Sequence, residues 1–153
     1  MTRQFRVIDD LSQVSPDDWN RLNPQQNPFL SHAFLHSLEA SGSVCREAGW
    51  QPIHLICEEN GQLIAAMPLY LKTHSYGEFV FDWAWAEAYQ RAGMNYYPKL
   101  VSAIPFTPVS GMRLLSAATD TDLTAAMQDQ LIQTAREQDV SSVHILFPNR
   151  EEA

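Results

Sequence analysis

The 153 residues suit one ordinary domain rather than two, and 45% apolar with 18% charged residues is the balance of a soluble chain that buries its own core. Ten Lys and Arg against eighteen Asp and Glu leave a net charge of −8, which argues against a nucleic-acid partner, since each phosphate contact needs a cation. No apolar run reaches the roughly 20 residues that span a bilayer, and the opening Met-Thr-Arg-Gln-Phe-Arg lacks the apolar core of a signal peptide. Two cysteines, Cys45 and Cys57, make neither a disulfide framework nor a four-ligand zinc site. The expectation is a cytoplasmic protein with no transmembrane segment. Only two of the ten cations are lysines, Lys72 and Lys99.

Residues 5–8 alternate apolar and polar and read as a first strand. Ser15-Pro16-Asp17-Asp18 opens a helix, with a capping serine, a proline in the first turn and acids at the positive end; Asn23-Pro24 closes it. A second helix starts at Ser31, with Leu30 and Leu35 placed as a hydrophobic staple, and Gly42 stops it. Residues 53–57 and 63–71 flank Glu59-Asn60-Gly61, the strongest short hairpin signal. The second of these strands is apolar on both faces, as a central strand is, yet it contains Pro68, which cannot donate to a ladder. A bulge or splay at Pro68 resolves the conflict. Residues 82–93 read as a short helix capped by Asp82 and ended by Gly93, and 100–104 as the next strand. Prolines at 98, 105 and 108 with Ser110-Gly111 make a stiff loop, and 113–115 reads as a short additional strand. Leu123, Ala126, Met127, Leu131 and Ala135 mark a long helix over 122–138, and 143–147 a buried strand. Asn149 and Glu152 have the spacing of a capping box, so a further helix is announced there. These elements give an α/β (α+β) fold class, a mixed, mostly antiparallel sheet flanked by helices.

Three groups of residues carry candidate chemistry. His32, His36 and Glu39 fall on one helical stripe and would give a metal two imidazoles and a carboxylate, but a solvated polar face opposite the apolar one is the plainer reading. Cys57, His54 and His144 lie in apolar strands and read as core or sheet-edge side chains. No nucleophile elbow, phosphate loop or dinucleotide fingerprint occurs. The third group is aromatic: Tyr76, Phe79, Phe81, Trp83, Trp85, Tyr89, Tyr96 and Tyr97 lie within 22 residues, either as core or as a ligand groove. On the groove reading, Trp83, Tyr89, Tyr97 and Thr107 line one concavity beside the break at Pro68, and Ser110 joins them from the stiff loop as a substrate-binding residue.

Longer blocks add a family resemblance. Asn27-Pro28-Phe29-Leu30-Ser31-His32 with Phe34-Leu35 and Leu38-Glu39, Gly49-Trp50-Gln51-Pro52, Pro68-Leu69-Tyr70-Leu71-Lys72, Ser75-Tyr76-Gly77-Glu78, Phe81-Asp82, Pro98-Lys99-Leu100 and Pro105-Phe106-Thr107-Pro108-Val109 together resemble the FemAB-like family, from about residue 27 onward. The order of elements is similar to that of GNAT-type acyltransferases. The resemblance implies two tandem GNAT-like domains, of which residues 1–153 correspond to the first half. It also implies acyl or aminoacyl transfer linked to peptidoglycan-bridge formation, with acyl-CoA or aminoacyl-tRNA as the family's donor and a small-molecule or peptide-like acceptor. No cofactor is expected in this half: the long helix follows Ala118-Thr119-Asp120-Thr121-Asp122, which lacks a glycine-rich loop and sets carboxylates where a pyrophosphate would sit. Catalytic residues stay unassigned and no metal is expected. The competing reading is a non-catalytic α/β module that self-associates. A stand-alone acetyltransferase is the third. An edge at 143–147 would make the isolated chain a dimer or larger, with Val143, Ile145 or Phe147 at the contact.

Overall fold

The computed structural model describes residues 2–78, 82–117 and 120–149. In chain order its elements are β1 (Arg3–Ile8), α1 (Pro16–Asn20), α2 (His32–Ala40), β2 (Trp50–Pro52), β3 (His54–Glu59), β4 (Gln62–Met67), β5 (Tyr70–Lys72), α3 (Trp83–Arg91), β6 (Lys99–Ser102), β7 (Leu115–Ser116), α4 (Thr121–Glu137) and β8 (Val143–Ile145). The fold is mixed α+β. Among the described residues the named strands pair antiparallel except β6 with β8, and an isolated parallel bridge joins Gly111 to Pro148.

The strands form two sheets of four, ordered β1-β3-β4-β7 and β2-β5-β6-β8, where the sequence reading expects one. The cause lies at Pro68. The run expected as a single bent strand leaves the first sheet at Met67 and enters the second at Tyr70. Proline has no N–H for the ladder, so the break falls there. The chain is held across it by Ile53 N–H donating to Leu69 O (2.9 Å) and Ser102 Oγ donating to Pro68 O (2.7 Å). The β3–β4 hairpin turns through Asn60 and Gly61, both at positive φ, as an Asn-Gly turn demands.

Helix caps follow the sequence closely, with one exception. Ser15, Ser31 and Asp120 accept from the backbone N–H of Asp18, Phe34 and Leu123. Asp82 stands at the N-cap of α3 but makes no capping hydrogen bond; its carboxylate goes elsewhere. One core cluster gathers Ile8, Trp19, Leu35, Ile56 and Leu115 under α1 and α2, and a second gathers Leu55, Leu100, Leu123, Met127 and Leu131 under α4.

Three further expectations change. The stripe His32, His36, Glu39 is not a solvated face throughout: His32 is buried and donates from Nε2 to Leu11 O (2.7 Å), Glu39 Oε1 accepts from Leu11 N (2.9 Å), and His36 is half-buried. The short 3-10 turn Leu11–Gln13 covers that side of the helix, which helical periodicity alone does not reveal. The strand expected over 143–147 is shorter and less buried. β8 pairs only with β6, so it is an edge, and Ile145 is 45% exposed. Arg113 is not in a strand; it is buried, and its Nε donates to Leu146 O (2.8 Å) and Nη2 to Val109 O (2.9 Å), tying the stiff loop to the end of β8. The capping box at Asn149 and Glu152 extends outside the described residues.

Candidate functional site

Both lysines of the chain are fully buried, and they face each other. β5 and β6 pair with Lys72 opposite Lys99, and neither side chain retains solvent exposure. Like charges directly across a strand pair repel, and burying either one alone is costly. Two carboxylates answer this. Glu78 reaches between the pair, with Oε1 2.8 Å from Lys99 Nζ and Oε2 3.6 Å from Lys72 Nζ. Asp82 Oδ2 takes a second bond from Lys99 at 2.7 Å, and Ser75 Oγ a third at 3.1 Å. Lys72 Nζ donates to Tyr76 O (2.7 Å) and rests on the Trp50 ring, 3.7 Å from its centroid. Burial pulls the Lys72 ammonium down to about 8, against the support of Glu78. For Asp82, burial pushes the carboxyl up, but hydrogen bonds from Lys99, Tyr96 and Ser75 outweigh it and bring the group to about 2.

A ring of aromatic side chains surrounds this ionic centre. Tyr96 donates its hydroxyl to Asp82 Oδ2 (2.5 Å) and lies 3.3 Å from His144 Nε2. Burial and the Asp82 carboxylate raise the Tyr96 hydroxyl pKa, while burial and Lys99 lower that of His144. Tyr97 shares a 2.5 Å hydrogen bond with Ser75. The stiff loop closes one side. Phe106 N–H donates to Gly77 O (3.0 Å), and the Phe106 ring meets Trp50 at 5.4 Å. Gly77 has φ +81, and a Cβ there would lie 2.6 Å from the Phe106 ring, so this contact requires glycine.

The five sequence-predicted residues stand in three separate places. Tyr89 and Tyr97 both pack on Tyr96, at 5.1 and 4.9 Å between centroids. Trp83, 53% exposed, meets Tyr76 at 6.1 Å on the outer side of the turn that carries Glu78. Thr107 and Ser110 stand on the stiff loop, with the Thr107 hydroxyl donating to Pro105 O (3.0 Å). Phe79 and Phe81 lie outside the described residues. Separately, where the sheets part after Met67, a cleft of about 590 Å³ opens among Met67, Met112, Leu114, Leu131 and Ile145. None of the five predicted residues lines it.

Sequence reasoning did not single out Lys72, Glu78, Asp82 and Lys99. The signal was present: a chain with only two lysines sets both in apolar strands, where a lysine needs a buried counter-charge. It also missed the partner of His54, whose Nδ1 accepts from Leu69 N–H (3.2 Å) while Nε2 donates to Glu39 Oε2 (2.7 Å). Among the described residues no His, Cys, Asp and Glu group has the geometry of a metal site. No described helix is long and apolar enough to cross a membrane.

The blocks that place these residues also decide the family. The model of the FemAB-like family, described as peptidoglycan biosynthesis/recognition, matches residues 10–153. The chain belongs to the FemAB-like family. No curated protein and no solved structure matched it. Membership ties the chain to peptidoglycan-related biosynthesis or recognition. In this FemAB-like chain the matched region contains the whole ionic centre and its aromatic surround.

Proposed function

We propose that this FemAB-like chain is the acceptor-binding, GNAT-like half of an acyl- or aminoacyltransferase that modifies peptidoglycan precursors in the cytoplasm. The observation that carries the reading is the exposed aromatic surface: Tyr76 is 66%, Trp83 53% and Trp85 66% exposed. Large rings left in water at this density are the mark of a recognition surface. An amino sugar offers C–H faces to an indole and hydroxyls to a tyrosine, and a peptide stem offers aliphatic side chains and carboxylates. Trp83, Tyr89 and Tyr97 supply rings and hydroxyls for such an acceptor, and Thr107 and Ser110 supply hydroxyls from the adjoining loop. The donor, acyl-CoA or aminoacyl-tRNA, is bound outside this half. The α4 N-terminus supports that division, because Asp120 already accepts from Leu123 N–H (3.1 Å) where a pyrophosphate would bind.

Titration with a soluble disaccharide-peptide fragment of peptidoglycan, followed by tryptophan emission, tests the proposal. A saturable change that weakens at least about tenfold in Trp83→Ala is expected, the loss of one well-placed aromatic contact. No emission change and no heat of binding at millimolar fragment would overturn it. Self-association is the second reading, favoured by the edge position of β8 and the exposure of Ile145. Sedimentation decides it: a monomer at high micromolar concentration removes that reading, and a dimer lost in Ile145→Lys supports it.

A further inference from the structure

Helix α3 is not held by an apolar face. None of its nine residues is buried, and a helix shorter than roughly 12–15 residues is marginal in water by itself. The Glu87–Arg91 pair, with side chains 60% and 77% exposed, adds little. Its far end is well closed: Gly93 N–H donates to Gln90 O and Met94 N–H to Tyr89 O, with Gly93 at φ +76, the pattern of a Schellman cap. Its near end is different. Asp82 occupies the N-cap position without capping, and gives its carboxylate to Lys99 Nζ (2.7 Å) and the Tyr96 hydroxyl (2.5 Å). Tyr96 then meets Tyr89, one of the two half-buried side chains of α3.

We propose that Asp82, Lys99 and Tyr96 form a latch that sets the position of α3, and that releasing it frees the helix with Trp83 and Trp85 while the rest of the fold stays intact. Among the described residues the charged attachment of α3 lies at its first end, in one charge-assisted group, and the ring contacts of Trp83 with Tyr76 and Tyr89 with Tyr96 are the weaker remainder. The charged group is also incompletely satisfied, because Asp82 Oδ1 is buried with no hydrogen-bond partner, which lowers the cost of opening. An element with few buried contacts, joined mainly through one charged group, opens below the global unfolding free energy. These are positioning residues for the aromatic face, and that functional consequence rests on the acceptor reading; the latch itself does not.

Hydrogen exchange by mass spectrometry on the full chain tests it. Asp82→Asn keeps the size and removes the charge, and amides of α3 should then exchange at least about tenfold faster, as expected for loss of a charge-assisted bond. In the wild-type chain the slowest α4 amides should exchange at least about tenfold slower than those of α3, as opening of α3 below global unfolding requires. Tyr96→Phe keeps the ring on Tyr89 and should give a smaller rise in α3. Unchanged α3 exchange in Asp82→Asn, or wild-type α3 amides as slow as those of α4, overturns the latch. If Asp82→Asn does not fold, Tyr96→Phe decides by the same criterion. Adding the disaccharide-peptide fragment to the wild-type chain should slow α3 exchange. No slowing, with both variants behaving as expected, overturns the acceptor reading and leaves the latch standing.

Discussion

Helices α3 and α4 both begin on an aspartate, and they use it in opposite ways. Asp120 caps α4, accepting from Leu123 N–H, and the helix then buries Leu123, Met127, Leu131 and Thr134. Asp82 leaves α3 uncapped and reaches into the protein, where it is one of two carboxylates that balance Lys72 and Lys99. The residue type is the same; the outcome depends on what lies within reach. At α4 the half-exposed Asp120 serves both a cap and a cation, Oδ1 accepting from Leu123 N–H (3.1 Å) and Oδ2 from Arg3 Nη2 at the surface (3.3 Å). Next to α3 there is a buried ammonium, and a charge-assisted bond to it outcompetes the cap. One helix is therefore part of the core, and the other is tethered to it.

The largest effect that sharpens this contrast is expected at the ionic centre. Lys99→Met leaves Glu78 and Asp82 buried without their main cation and should cost about 3–5 kcal/mol in chemical denaturation. A loss below about 1 kcal/mol would show that both carboxylates are neutral or solvated instead. Next comes the core itself: Met127→Ala in α4 should cost about 2–5 kcal/mol. The matching truncation in α3, Tyr89→Ala, should cost under about 1.5 kcal/mol, the scale of an aromatic pair contact. Equal costs would break the comparison.

A smaller effect separates the two aspartates. Asp120→Ala should lower stability by about 1 kcal/mol, the usual loss of a cap, seen as a lower melting temperature. Asp82 instead contributes through its charge. With its carboxyl brought to about 2, that stability is present above the ordinary value of 3.8 and is lost as pH falls toward 2.

An effect that is small at pH 7 and grows with pH is at Lys72. Its pKa is about 8 in the folded chain against 10.5 unfolded, so the unfolded state holds the extra proton between these values and stability rises with pH across that window. Tyr70 and Tyr96, whose hydroxyl pKa values are raised, work the other way above pH 10, so the difference between wild type and Lys72→Met isolates the lysine. That variant should remove the rise and leave stability at pH 7 within about 1 kcal/mol, because Glu78 keeps Lys99. A wild-type profile that does not differ from the variant between pH 8 and 10 would show that Lys72 carries no buried charge.

Local patterns were legible where local physics decides. The Asn60-Gly61 turn, the Ser15 and Ser31 caps and the periodicity of α4 formed as read, because each is settled within a few residues. The break at Pro68 was also legible, as a missing donor in an apolar run, but its result was not. A kink and a transfer between two sheets look alike until the partners of β4 and β5 are known. The aromatic residues were legible as a group, whereas the division into Tyr89 and Tyr97 on Tyr96 and Trp83 on Tyr76 rests on contacts that only the folded chain brings about.

The sequence by itself determined the fold class, the family and the pieces: capped helices, an Asn-Gly hairpin, a proline that no ladder accommodates, and two lysines among apolar residues. Each follows from a backbone or side-chain preference that acts over one or two turns of chain. Only the tertiary structure decided that Lys72 and Lys99 stand opposite each other, that Glu78 and Asp82 neutralise them, and that α3 hangs from that centre. Strand register brings together residues 27 positions apart, and at that range it is desolvation and pairing of charge, rather than local propensity, that sets which groups meet.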